Sequence, residues 1–184
     1  MTLTRPNPNT YWVIPGQLLA GEYPGAGDVA DTRRRLQHYL RTGVSLFVDL
    51  TRPGGLTPYE PILRQEANAA GLVARYVRRP IPNYGVPPSA AHMAETLDII
   101  DNAMADGSTV YVHCWGGIGR TGTVVGCFLV RHDRSGAAAL RELQTLYETV
   151  EKSAWYKHSP ETAEQRQLVL DWADLDTEGK RDGN

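Results

Sequence analysis

The chain has 184 residues, of which 41% are hydrophobic and 22% charged, with a formal net charge of −2. That length suits one domain over residues 1–184, able to bury roughly two-thirds of its unfolded surface, and the slightly acidic balance argues against nucleic-acid binding. Two cysteines make no disulfide framework, no apolar run approaches the ~20 residues of a membrane span, and the polar start shows no signal peptide, so a cytoplasmic monomer without membrane or nucleic-acid partners is expected.

In chain order, the first ten residues are polar and turn-rich and are expected to be flexible, leaving a core of about 11–173. Residues 11–14 and 17–20 can pair across Pro15-Gly16 as a hairpin. Residues 28–41 read as a helix that starts near Asp28 or Asp31 and ends before Gly43. Residues 44–50 form a continuous apolar strand, the kind buried on both faces of a mainly parallel sheet. A helix over 59–70 stops at Gly71, a strand follows over 73–77, and a proline-rich loop fills 80–88. Ser89 caps a helix to about Ala105, with Met93, Leu97, Ile100 and Met104 along one face. Residues 109–112 form a strand; helices follow over 121–132, 136–150 and 160–173, with Trp155, Tyr156 and Trp172 expected to pack the last one onto the body. The tail from Thr177 is expected to fray. Alternating strands and helices predict an α/β fold, a central mainly parallel sheet of four to five strands flanked by helices.

The most informative stretch is His113-Cys114-Trp115-Gly116-Gly117-Ile118-Gly119-Arg120-Thr121-Gly122. It places a glycine-rich turn between a strand and a helix N-terminus. Backbone N–H groups and the helix dipole make that junction an anion cradle. A cysteine in such a field is expected to sit as the thiolate, its nucleophilic form. The Arg120 fork matches two oxygens of a phosphate. Phosphate-ester chemistry on Cys114 is the natural reading, at the carboxyl ends of the strands, where α/β sheets bind ligands.

This stretch resembles the phosphate-binding loop of the cysteine-dependent protein tyrosine phosphatases, His-Cys-x5-Arg-Ser/Thr-Gly, at every fixed position. Residues 17–25 (QLLAGEYPG) and 159–167 (SPETAEQRQ) resemble stretches of small phosphatase-like proteins, and the short chain is more similar to the compact dual-specificity group than to the larger tyrosine-specific enzymes. The resemblance covers roughly residues 11–172. It implies in-line attack by Cys114, a phosphocysteine intermediate and release of phosphate by water, with no metal and no cofactor. It also implies a cradle of Arg120 and the N–H groups of Trp115, Gly116, Gly117, Ile118 and Gly119 for the equatorial oxygens. Thr121 is implied to hydrogen-bond the sulfur and help it leave, and His113 to brace the loop.

The family also places an aspartate, the general acid, on a loop upstream of the cysteine. Here residues 79–87 resemble that loop and present Asn83, which cannot donate a proton in that sense. Three explanations stay open: an engineered substitution that traps substrate, a natural variant using another donor or favouring good leaving groups, and a phosphate-binding protein with little turnover. Asp49 and Tyr84 are candidate donors; a loop-stabilising carboxylate and a pocket wall are the stronger readings of the two. Arg75, Arg78 and Arg79 read equally as a positive rim or as a solvated strand end. Gln165 is expected on a helix surface rather than positioning water, and Cys127 as a small core residue.

The expected function is a phosphatase acting on phosphotyrosine, with phosphoserine and phosphothreonine as further substrates. Its partners would be a phosphorylated protein or peptide and a phosphate-like oxyanion in the loop. The alternatives are a non-catalytic phosphopeptide-binding module, or a phosphatase for a non-protein phosphate ester.

Overall fold

Side chains alternate across each central strand, and that alternation sets the layers. Leu18, Ala20, Leu46, Val48, Val110 and Val112 enter one apolar cluster, while Leu19, Phe47 and Tyr111, the residues between them, enter the other. In this computed structural model, which describes residues 4–181 and side chains as far as residue 176, the elements are β1 (Thr10–Ile14), β2 (Leu18–Gly21), α1 (Val29–Arg41), β3 (Val44–Asp49), α2 (Glu60–Ala69), β4 (Arg75–Arg78), α3 (Ala90–Ala105), β5 (Thr109–His113), α4 (Gly119–Arg131), α5 (Gly136–Tyr147) and α6 (Ala163–Arg181), with a short 3-10 turn at Glu151–Ala154. The five strands lie in the order β1-β2-β5-β3-β4. Leu36, Tyr39 and Leu40 of α1 and Leu63 and Ala67 of α2 cover one face; α3 to α6 cover the other.

The expected hairpin forms: β1 and β2 run antiparallel, and the Gln17 N–H donates to Ile14 O at 3.0 Å across the Gly16 turn. All other pairings are parallel, so the sheet is mixed but mainly parallel. Helix starts follow side-chain caps, Asp28 accepting from the Asp31 N–H, Ser89 from His92 and Ser135 from Ala138.

Several expected boundaries shift. β4 begins at Arg75 rather than residue 73, and α4 begins at Gly119, two residues before the position expected. α6 begins at Ala163, not residue 160, because Thr162 and Gln165 form a reciprocal cap: the Gln165 N–H donates to Thr162 Oγ1 at 3.2 Å, and the Thr162 N–H donates to Gln165 Oε1 at 3.1 Å. α6 runs on to Arg181, past the end expected at residue 173. Residues 4–9 are not loose: Arg5 Nη1 donates to Thr10 O at 2.9 Å and Thr149 O at 3.0 Å, and Asn7 Nδ2 donates to Tyr39 Oη at 2.7 Å. The expected flexibility of residues 1–3 and 182–184 lies outside the described residues. Trp172 packs the last helix as expected, but Trp155 and Tyr156 are exposed, 76% and 57%.

Candidate active site

Parallel register brings four strand ends to one level: His113 pairs with Gly21 on one side and Asp49 on the other, and Asp49 pairs with Arg78. The loops leaving these ends therefore converge at the carboxyl edge of the sheet. Together they line a cavity of about 690 Å³ that includes Glu22, Tyr23, Thr57, Asn83, Tyr84, Cys114, Arg120 and Glu161. Cys114 and Arg120 lie at its buried base.

The loop over residues 114–118 carries its carbonyls outward. Cys114 O accepts from His113 Nδ1 at 3.1 Å, Trp115 O from the Tyr23 N–H at 3.0 Å, Gly116 O from Lys152 Nζ at 2.8 Å, and Ile118 O from Ser159 Oγ at 2.8 Å. In a planar trans peptide the N–H points opposite to the carbonyl. The N–H groups of Trp115, Gly116, Gly117 and Gly119 are thereby turned to the inner side, and the Gly117 N–H donates to Cys114 Sγ at 3.3 Å. This is a backbone nest at a helix N-terminus. Gly117 has φ 73°, and a Cβ there would lie 2.6 Å from Glu22 N, so only glycine fits.

Arg120 is fixed by its entry into α4, and its Nη1 donates long hydrogen bonds, 3.5 Å each, to Leu50 O and Ile81 O. His113 is fully buried. Since a carbonyl only accepts, its Nδ1 carries the hydrogen given to Cys114 O; Nε2 is then the acceptor for the Tyr59 hydroxyl at 2.7 Å. Burial holds the imidazole below its ordinary value of 6.5, which keeps it neutral and preserves this chain of bonds. Tyr59, its own acidity suppressed by burial, remains a donor.

Thr121 differs from expectation. Its hydroxyl donates to Gly21 O at 3.4 Å, and the hydrogen bond recorded at the sulfur comes from Gly117 instead. Asp49 is a structural carboxylate: Oδ1 accepts from the Thr51 N–H at 2.8 Å and the Thr51 hydroxyl at 2.7 Å, and Oδ2 from the Tyr76 hydroxyl at 2.7 Å. Burial alone would raise its pKa, but His113 and these donors outweigh it and hold it low. It does not line the cavity.

The positive rim is not met either. Arg75 donates to Ser108, Arg78 to Tyr76 and Asp49, and Arg79 to Thr96, His92 O and Glu95; none of the three lines the cavity. Tyr84, exposed and at φ 58°, forms part of the wall, as expected. Cys127 is buried in the core with its thiol pushed up by burial.

Two residues of the site, Lys152 and Glu161, escape a reading of the sequence, and a third, Gln165, lies elsewhere than expected. Lys152, already bound to Gly116 O, also donates to Glu22 Oε2 at 2.6 Å. Gln165, expected on a surface, is fully buried; Oε1 accepts from the Glu161 and Thr162 N–H groups, 3.1 Å each, and Nε2 donates to Gly85 O at 3.0 Å. It joins the loop bearing Asn83 to the segment bearing Glu161. Glu161 itself reaches the loop: its Oε2 lies 2.9 Å from where a Cβ on Gly119 would stand. The Thr-x-x-Gln cap was a legible signal for Gln165; nothing local announces the other two.

Residues 7–168 match the PTP-SAK family, described as a Swiss Army Knife protein, DSP-PTPase phosphatase domain. Mouse dual specificity protein phosphatase CDC14B is 43% identical over 54 residues, 29% of this chain and 10% of that protein, so the chain spans about a tenth of its length. Among solved structures, Tk-PTP in its active form superposes with a TM-score of 0.71 at 22% identity, covering 91% of this chain and 97% of that one. PTPMT1 in complex with PI(5)P superposes with a TM-score of 0.61 at 16% identity, covering 96% and 99%. These likenesses establish the shared fold. With the match over residues 7–168, the chain belongs to the dual-specificity-type phosphatase domains of the cysteine-dependent tyrosine phosphatase superfamily.

Proposed function

We propose that this chain hydrolyses phosphate monoesters, phosphotyrosine first among them, through a phosphocysteine intermediate on Cys114. The observation that carries this reading is the sulfur seated in a nest of inward N–H groups, within the same cavity as the Arg120 guanidinium. Cys114 attacks phosphorus as the thiolate, forming the S–P bond as the ester P–O bond breaks; water then cleaves S–P and releases inorganic phosphate. Arg120 and the N–H groups of residues 115–120 hold the equatorial oxygens, whose charge is redistributed in the transition state. His113 acts by positioning, through Cys114 O. Thr121 packs against Gly21 O in the resting site and is assigned the role of assisting the leaving sulfur.

Phosphotyrosine is favoured by the mouth of the cavity. Trp115, Tyr84 and Tyr156 line it and are exposed, 66%, 60% and 57%, offering flat apolar surfaces to an aromatic ring. The loop adds no lysine that would match several phosphates. Asn83 lines the cavity; this reading takes it as the residue at the general-acid position, where an amide supplies no proton.

A second reading rests on Arg35, which also lines the cavity and donates a long bond to Gly25 O at 3.5 Å; it favours a non-protein ester with a second anionic group. The test is turnover of an activated aryl phosphate, a phosphotyrosine peptide and a bisphosphorylated small ester by the native chain and Cys114→Ser. Cys114-dependent release from the peptide in preference to the small ester supports the proposal. Binding of phosphopeptide without any release would identify a binding module.

A further inference from the structure

We infer that Glu161 is the proton donor to the leaving oxygen, replacing the acid missing at Asn83. This deepens the phosphatase reading and rests on it. Three carboxylates line the cavity: Glu22, Asp31 and Glu161. Glu22 is held by Lys152 at 2.6 Å and Asp31 by Arg34 at 2.6 Å, so both already have a cationic partner. Among the described residues no side chain forms a hydrogen bond or ion pair with the Glu161 carboxyl group.

Its backbone is nevertheless held. The Glu161 N–H donates to buried Gln165, its carbonyl accepts from Arg166 Nη1 at 3.4 Å, and its Oε2 overlies Gly119 at the start of α4. Gln165 also grips Gly85, so the segment adjoins the loop bearing Asn83, and both line the same cavity. Glu161 is exposed where it lines the cavity, and its partial burial still raises its pKa; Arg120, the charged group facing it from α4, lowers it without cancelling the rise, and Tyr147 faces it from α5. A carboxyl group shifted upward holds its proton nearer neutral pH, as a general acid requires.

The step balances. The Cys114 thiolate forms the S–P bond, the P–O bond breaks, and the Glu161 carboxyl proton moves to the departing oxygen. The alcohol or phenol leaves neutral, and Glu161 becomes the carboxylate.

The experiment compares native chain, Glu161→Gln and Glu161→Asp on a phosphotyrosine peptide, phenyl phosphate and an activated nitrophenyl phosphate. The expected result is a loss with Glu161→Gln of about 10²-fold on the peptide and phenyl ester, shrinking as the leaving group becomes more acidic. Glu161→Asp restores part of it. The native chain is expected to lose rate on the peptide as pH rises, and Glu161→Gln is expected to lose that dependence. An equal loss on all three substrates, or none, overturns the assignment while leaving Cys114 chemistry intact. Failure of the native chain to turn over even the activated ester would overturn the phosphatase reading itself, and this assignment with it.

Discussion

Lys152 and Cys114 are coupled through one peptide plane. Lys152 Nζ holds the Gly116 carbonyl at 2.8 Å, and the N–H on the other side of that peptide, Gly117, donates to Cys114 Sγ at 3.3 Å. The lysine reaches the sulfur's environment without touching it. Lys152→Met keeps the aliphatic stem and removes the latch, so the peptide is free to rotate. Single oxyanion donors are worth roughly 10²–10³ in rate, so partial misalignment is expected to lower kcat about tenfold. Lys152→Arg should retain more activity than the methionine variant. Steady-state kinetics on an aryl phosphate check this; unchanged kcat in Lys152→Met would show that the loop holds its shape unaided.

Gly117→Ala meets two obstacles together: a left-handed backbone, φ 73°, and the Gly21-Glu22 backbone 2.6 Å from the new methyl at Glu22 N. The loop must move. The expected cost is about 1–3 kcal/mol of stability, with loss of phosphate or vanadate binding. Thermal unfolding and calorimetric titration read the two effects, and native-like oxyanion affinity would contradict the nest geometry.

Asn83 lines the cavity but cannot give up a proton at working pH. Asn83→Asp is expected to raise turnover of phosphotyrosine tenfold or more, in keeping with general-acid effects of about 10²–10⁴. The same substitution placed on Glu161→Gln should recover much of the lost activity. Failure of Asn83→Asp to restore any activity to the Glu161→Gln chain on the peptide would show that residue 83 does not face the leaving group.

His113 gives the fold a pH dependence of defined sign. Its pKa is depressed by burial below the ordinary 6.5, and His92 is depressed by burial and by Arg79. Below pH 6.5 the unfolded chain binds protons that the folded chain refuses, so stability falls with falling pH in the window beneath that value. Asp49, also depressed, adds its loss only as pH drops below its ordinary 3.8. Thermal midpoints measured from pH 7.5 down to 5 should decline, and His113→Gln should flatten the slope. A midpoint that climbs on acidification over this range would contradict a neutral, buried His113.

What could be read along the chain was local. The run from His113 to Gly122 lies between one strand and one helix, so its chemistry is written in adjacent letters, and the two-face alternation of β2, β3 and β5 follows from apolar runs. What could not be read was who meets whom at a distance. Arg78 lies at a strand end, where solvation and a functional rim look alike, until Asp49, 29 positions away, is seen to accept from it. Lys152 meets Gly116 across 36 positions, and Gln165 meets Gly85 across 80. Trp155 and Tyr156 carry large apolar surface, which promised packing; they sit at the end of the 3-10 turn with their rings outside the core. Thr121 sits one residue from Arg120, yet its rotamer turns to Gly21 O, a choice that neighbouring letters do not set.

The most direct test of the account is to stop turnover of a phosphotyrosine peptide with denaturant within the first cycle and map phosphoryl groups by mass spectrometry. One phosphoryl group on the peptide containing Cys114, absent in Cys114→Ser, is the predicted result. Undiminished phosphate release by Cys114→Ser, with no phosphorylated thiol in the native chain, would contradict it.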